Sequence, residues 1–227
     1  MGIAGNLKKD CYFIAGSVEA SARELLTGLP DFGRARAAGF RPDRAALLLL
    51  DLQKYFLDPE SHAYIPSAPA ILDALLVLAG AFRRHRRPVI WTRHGNTPAD
   101  VCRMADWWRD VLVPDSPAAG WIVPPEPEDI VVDKTGYDAF LGTDLASILE
   151  ANGATQVVVC GVMTHLCCET TARSAFGRGF EVFFPADGTA APTRAFHAAS
   201  LLNLSHGFAV LGTIADLRAV LDAETPA

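Results

Sequence analysis

Cys167 is the residue whose type and position point most directly to chemistry. It follows an apolar run, 157–160, that is typical of a buried parallel strand. Gly161 predicts a tight turn after this strand, and Thr164 is the predicted N-cap of the helix that comes next. A thiol in the first turn of a helix lies near unpaired N–H groups and the positive end of the dipole. That setting lowers a thiol's pKa and favours a nucleophile.

Other apolar runs end in residues that could serve such a nucleophile. One run ends at Asp51, another leads to His94 and a third leads to Lys134. Ligands of parallel α/β sheets bind outside the carboxyl ends of the strands, so these side chains are predicted to meet Cys167 at one edge. Taken singly, Asp51 could cap a loop, Lys134 could be solvated and Cys167 could be a structural thiol. Their convergence favours an active site.

The neighbouring cysteine differs from Cys167 in its helical position. Cys168 falls on the same helical stripe as Ala172 and Ala175, which predicts a place in the core. Cys167 lies off that stripe. The spacing therefore predicts that Cys168 is structural and that Cys167 is exposed.

The elements that must position these residues alternate between strand and helix patterns. This order predicts an α/β fold, a three-layer, doubly wound, six-stranded parallel sheet with helices on both faces. The predicted strands are 45–50, 88–92, 130–132, 157–160, 181–185 and 207–211. The predicted helices are 17–29, 66–87, 101–112, 141–151, the one beginning at Thr164, 193–205 and 214–222.

Composition limits the class of protein. The chain of 227 residues is predicted to form a single domain, in which an N-terminal extension, 1–40, packs on a catalytic core, 41–227. A net charge of −6 argues against a nucleic-acid partner, and no apolar run approaches the 18 residues of a membrane span. Five cysteines and no signal-peptide layout predict reduced thiols in a cytoplasmic protein.

Three segments together resemble the isochorismatase-like cysteine hydrolase superfamily, over about residues 44–212. They are 50–56 (LDLQKYF), 134–140 (KTGYDAF) and 161–172 (GVMTHLCCETTA). The resemblance is to the amidase branch, of the N-carbamoylsarcosine amidase kind. It implies a triad of Asp51, Lys134 and Cys167. It also implies a non-proline cis peptide between Val162 and Met163, and an oxyanion hole formed by the backbone N–H groups of Met163 and Cys167.

The resemblance implies hydrolysis of a C–N bond, in an amide or ureido group, through a thioester on Cys167. Asp51 would act as general base and acid, and Lys134 would be an orienting cation. Aromatic residues near the predicted cleft favour a small, flat or cyclic substrate, although core packing explains each aromatic residue equally well. The predicted substrate contacts are Gln53, Phe56, Trp91, His94, Tyr137, Phe140 and His165.

Several alternatives remain open at this stage. The metal-binding nicotinamidase branch carries an Asp-x-His motif, whereas the strand-one motif here is Asp51-Leu52-Gln53, so no metal and no cofactor are predicted. His94, His165 and Cys167 could instead imitate a zinc site. A vinyl-ether hydrolase with Asp51 as general acid is the second function, and an inactive binding member is the third.

The binding partners are predicted from the family resemblance and from the absence of a dinucleotide-binding motif. No Gly-x-Gly-x-x-Gly follows the first strand, which argues against a dinucleotide enzyme. The predicted partners are a small-molecule substrate and further copies of the chain, in a dimer or tetramer. The extension and the loop 95–128 are the candidate subunit contacts.

Overall fold

A central parallel sheet organises the computed structural model, which describes residues 7–30, 39–108 and 110–224. The strands are β1 Ala45–Leu50, β2 Val89–His94, β3 Ile130–Lys134, β4 Gln156–Val162, β5 Glu181–Pro185, β6 Thr189–Ala190 and β7 Val210–Gly212. The helices are α1 Val18–Thr27, α2 Lys54–Leu57, α3 Ala68–Arg84, α4 Met104–Trp107, α5 Leu145–Ala151, α6 Glu169–Gly177, α7 Arg194–Gly207 and α8 Ile214–Ala223. Short 3₁₀ turns span Pro42–Arg44, Pro117–Ala119 and Ala186–Gly188.

The strand order is β3-β2-β1-β4-β5-β7, with β6 paired to β4. All pairs are parallel, and β1 lies between β2 and β4. Helices flank the sheet, and α3 packs against α8 while α6 packs against α7. From β1 the chain continues through β2 to β3 on one side of the sheet, and it then crosses back to β4 on the other side of β1. The crevice at their carboxyl ends is therefore the expected ligand site.

The predicted doubly wound α/β fold is confirmed, with local differences. The described part of the sheet holds a seventh strand, β6, whose two residues are too few to give a periodic pattern. The last strand begins at Val210 rather than at residue 207. The helix predicted over 101–112 is only the four-residue α4, because the surrounding segment is held by turns.

The N-terminal extension is described over residues 7–30 and 39–40, and the rest of it lies outside the described residues. α1 contacts β7 and the 3₁₀ turn Ala186–Gly188. Buried side chains from Phe13 to Leu221 belong to one continuous core, so this part of the extension shares the core of the sheet. In the described part of the chain, every helix is too short or too polar to cross a bilayer.

Candidate active site

Asp51 directly follows β1, a fully buried strand. All six residues of β1 are buried, because β2 and β4 cover both edges and helices cover both faces. Asp51 has φ 55°, a left-handed conformation that is unusual for a residue other than glycine. Thr92, at the matching position of β2, fixes it: the Asp51 N–H donates to the Thr92 carbonyl at 3.1 Å, and the Thr92 hydroxyl donates to Asp51 Oδ1 at 2.7 Å. The carboxylate is thus locked in one orientation.

Lys134 joins Asp51 to Cys167. Its Nζ lies 2.8 Å from Asp51 Oδ2, 3.4 Å from Cys167 Sγ and 3.0 Å from the carbonyl oxygen of Gly136. An ammonium has three N–H donors, so all three are engaged. Burial by itself would lower the pKa of Lys134, but Asp51 and Cys167 raise it well above the ordinary value. Lys134 is therefore a fixed cation and not a proton donor at neutral pH.

Cys167 lies in a single π-helical turn, Thr164–Cys168, between β4 and α6. Three expectations about this stretch were wrong. Gly161 is not in a turn but pairs with Leu50 inside the sheet. Thr164 does not cap the helix, because its hydroxyl bonds to Thr189 and His197. Cys167 is 6% exposed rather than open to solvent, because the π turn rotates it inward. Cys168 is fully buried, as predicted.

The environment of Cys167 also corrects the expected direction of its pKa shift. Burial and the neighbouring Asp51 carboxylate raise the pKa of Cys167 to about 12, although Lys134 acts in the opposite direction. Desolvation disfavours the thiolate more than one cation favours it. The Cys167 side chain is consequently a neutral thiol at neutral pH, and it accepts a hydrogen bond from Lys134.

The backbone before Cys167 has two special features. The peptide bond between Val162 and Met163 is cis, at the position that the family resemblance implied. Gly161 has φ 114°, and a Cβ there would overlap the backbone of Leu50. Glycine is therefore required where β4 passes β1, directly beside Asp51.

Two predicted substrate contacts, Gln53 and Trp91, make hydrogen bonds inside the protein, and their contact with a substrate stays a prediction. The buried Gln53 side chain uses its amide on protein partners, since Nε2 donates to the carbonyl oxygens of His94 and Ala119 and Oε1 accepts from the His94 N–H. Trp91 is fully buried, and its indole N–H donates to Asp129, which precedes β3 at the other end of the sheet. Both side chains are satisfied inside the protein. Sequence position near a strand end did not reveal where they point.

The aromatic rings of Phe56 and Phe140 lie in the core. Phe56 is 7% exposed beside Tyr55, and Phe140 is 4% exposed against Phe180 and Arg178. Contact of Phe56 and Phe140 with a substrate stays a prediction.

Three other predicted contacts are His94, His165 and Tyr137. Together with Trp108 they are called the rim of the triad. Burial lowers the pKa of His94 to about 4, and the neighbouring Lys134 adds to this effect. Burial also lowers the pKa of His165 to about 4, and its ring stacks on Phe196 at 4.3 Å. The hydroxyl of half-buried Tyr137 accepts a hydrogen bond from the Trp108 indole at 2.8 Å. The rim is therefore aromatic and, at pH 7, its two histidines are neutral.

The donor set does not fit a metal ion. In the part of the chain that the structure describes, no three His, Cys, Asp or Glu side chains are grouped to hold one. His94, His165 and Cys167 accordingly do not form the zinc site considered above. No step below is derived through a metal.

The sequence did not reveal the residues that hold Asp51 and Thr164 in place. Thr92 holds Asp51, while Thr189 and His197 hold Thr164. Trp108 reaches the rim from the loop 95–128. Thr92 closes a predicted strand beside Asp51, which is a usable signal. The others depend on tertiary contacts that no local pattern encodes.

Comparison with known proteins agrees with the geometry. Residues 45–216 match the family model described as the isochorismatase domain. Nicotinamidase 3 of Arabidopsis thaliana is 39% identical over 173 residues, which are 74% of this chain and 83% of that protein. Enterobactin synthase component B of Escherichia coli is 31% identical over 166 residues, 71% of this chain and 58% of that protein.

A solved structure extends the likeness to three dimensions. The crystal structure of a cysteine hydrolase from Pseudomonas syringae pv. phaseolicola superposes with a TM-score of 0.79 and 28% identity. The match covers 82% of this chain and 96% of that one. The chain belongs to the isochorismatase family of hydrolases.

Proposed function

We propose that the protein is a cysteine amidohydrolase that cleaves a C–N bond of a small, neutral amide or ureido compound. The observation that carries the proposal is the buried Lys134, bonded at once to the Asp51 carboxylate and the Cys167 thiol. A vinyl-ether hydrolase that works by proton donation has no use for a nucleophile in that position. A thioester mechanism needs all three groups.

The proposed reaction begins when Asp51 takes the thiol proton as Cys167 Sγ attacks the carbonyl carbon. The S–C bond forms and the carbonyl oxygen becomes an oxyanion, for which the N–H groups of Met163 and Cys167 are the proposed donors. The tetrahedral intermediate collapses, the C–N bond breaks, and Asp51 returns its proton to the leaving amine. Water then attacks the thioester while Asp51 takes its proton. The C–S bond breaks, the acid product leaves, and Asp51 returns the proton to sulfur, which regenerates the free thiol.

The raised pKa of Cys167 determines when the thiol loses its proton in the proposed reaction. Because the pKa of the thiol is about 12, very little thiolate exists at pH 7. Proton transfer to Asp51 must accompany attack, and the Lys134 cation stabilises negative charge as it moves from oxygen to sulfur. The hydrolase therefore differs from cysteine enzymes that store a thiolate ion pair.

Charge around the thiol supports a neutral substrate. Lys134 has no N–H donor to spare, and the pKa values of about 4 leave His94 and His165 uncharged at neutral pH. Of the side chains described beside Cys167, none offers a free positive charge to a substrate carboxylate. A flat amide that stacks on the aromatic rim suits these surroundings. The 39% identity to a nicotinamidase makes nicotinamide the first compound to test.

The test compares Cys167→Ala with Cys168→Ala as a matched control. Ammonia release is measured from nicotinamide and from methylurea, which are both uncharged, and a vinyl-ether dicarboxylate such as isochorismate is assayed in parallel. We expect Cys167→Ala to lose about 10³-fold or more of the amidase rate, since it removes the nucleophile. Cys168→Ala should keep it. Hydrolysis of the vinyl ether alone, at equal rates in wild type and Cys167→Ala, would overturn the proposal in favour of acid catalysis by Asp51.

A further inference from the structure

The N-terminal segment reaches the protein core close to the nucleophile turn. Phe13 is fully buried, and the backbone N–H groups of Tyr12 and Phe13 both donate to Ser67 Oγ, at 2.9 and 3.1 Å. The Tyr12 hydroxyl accepts from the Ala191 N–H at 2.8 Å. These residues precede the segment 45–216 that matches the family model. The contact is thus a property of this chain beyond the matched domain.

The two aromatic rings of this segment enclose His197. The His197 ring lies 5.3 Å from the Tyr12 ring and 5.4 Å from the Phe13 ring, between centroids. His197 is fully buried, and burial lowers its pKa to about 3. The imidazole is therefore neutral and held from one side by residues of the extension.

His197 in turn holds the first residue of the π turn. Its Nδ1 lies 2.9 Å from Thr164 Oγ1, and the Thr164 hydroxyl donates to Thr189 Oγ1 at 3.1 Å. Thr189 belongs to β6, which pairs with Gly161 of β4. Thr164 is consequently fixed from two directions, three residues before Cys167.

We propose that His197 and Thr164 are positioning residues for Cys167, and that Tyr12 and Phe13 make the N-terminal segment part of the support of the active site. Neither Thr164 nor His197 needs to touch the substrate. They fix the start of the π turn, and so keep Cys167 Sγ 3.4 Å from Lys134 Nζ. Displacement of a reacting atom by about 1 Å is enough to cost roughly 10²-fold in rate. This inference rests on the proposed function, in which Cys167 is the nucleophile.

Alkylation by iodoacetamide tests the proposal without a known substrate. Peptide mass spectrometry measures the labelling rate of Cys167 between pH 6 and 10, and exposed Cys102 in the same sample is the internal reference. Thr164→Val keeps the shape of the side chain and removes the hydroxyl. We expect it to lower the Cys167:Cys102 rate ratio about 10-fold and to move the Cys167 pH profile upward, as the thiol leaves Lys134. Thr164→Ser, which restores a hydroxyl, should rescue both.

A matched control separates positioning from general stability. Thr213→Val removes another fully buried threonine hydroxyl, the N-cap of α8, outside this chain of contacts. It should lower the melting temperature and leave the Cys167:Cys102 ratio unchanged. Phe13→Leu, which removes a ring from His197, should lower the ratio in the same direction as Thr164→Val.

The outcomes of this experiment are distinct. An unchanged ratio and pH profile in both Thr164→Val and Phe13→Leu would overturn the positioning role while leaving Cys167 as the nucleophile. Wild-type amidase activity in Cys167→Ala would overturn the proposed nucleophile, and the positioning role with it. A fall in the ratio for Thr213→Val equal to that for Thr164→Val would also overturn the positioning role.

Discussion

The ammonium of Lys134 and the carboxylate of Asp51 form an ion pair in which both side chains have no exposed surface. Desolvating two charges is expensive, so such a pair contributes little net stability while the loss of one partner is severe. Its persistence in the interior is explained by the proposed chemistry, because the thiol shares the same cation. The sequence predicted this meeting of Asp51, Lys134 and Cys167, since each follows the end of a strand. It could not predict that all three are buried.

Removal of one partner of the ion pair should lower the free energy of unfolding, because the other charge is left buried. Lys134→Met leaves Asp51 buried with only the uncharged side chains of Thr92 and Cys167 as partners, and we expect the free energy of unfolding to fall by about 3–5 kcal/mol. The double variant Asp51→Asn/Lys134→Met should recover part of the loss, because it buries no charge. Urea unfolding at pH 7 measures both. A single variant within about 1 kcal/mol of wild type would contradict the account of a desolvated pair.

At the scale of elements, the site depends on how closely β1 and β4 approach each other. The buried apolar strands were predictable from composition, because a strand covered on both faces reads as a continuous apolar run. The π turn and β6 were not, since both are set by tertiary contacts of Thr164 and Thr189. The misassigned turn at Gly161 has the same origin: a glycine can mark close backbone approach as well as a turn.

Gly161 and Gly153 allow a matched test of the close contact between β1 and β4. Both have positive φ, but an added Cβ at Gly161 would overlap Leu50, whereas nothing lies within 4 Å at Gly153. We expect Gly161→Ala to lower the free energy of unfolding by more than about 3 kcal/mol, and Gly153→Ala by about 1 kcal/mol. Urea unfolding distinguishes the two. Equal losses would mean that φ alone, and not the β1–β4 contact, requires glycine at 161.

At the scale of the whole molecule, buried neutral histidines couple folding to pH. Burial lowers the pKa of His94 and His165 to about 4 and that of His197 to about 3. The unfolded chain binds protons on these groups as the pH falls through about 6.5, while the folded chain does not. These three histidines therefore lower the free energy of unfolding as the pH falls from about 6.5 towards 4. Sequence alone placed His197 on a helix and gave it no partner.

His197→Gln should reduce this acid sensitivity. One histidine that binds a proton only when unfolded contributes a slope of up to about 1.4 kcal/mol per pH unit. Urea unfolding at pH 4.5, 5.5 and 7 should show a smaller slope in the variant than in wild type. Identical slopes would indicate that His197 is protonated in the folded protein, contrary to its burial.

Assembly into a dimer or tetramer remains a prediction at this scale. Light scattering on the purified full-length protein measures it directly. A mass of two or four chains is expected, and a stable monomer would refute it.

The central claim is that Cys167 becomes covalently acylated during turnover. Acid quenching within the first turnovers on nicotinamide and on methylurea, followed by intact-mass and peptide analysis, tests it most directly. The account predicts an added acyl mass on the peptide that carries Cys167, absent from Cys167→Ala and retained in Cys168→Ala. Full turnover of either compound by Cys167→Ala, with no adduct on the wild-type enzyme, would contradict it.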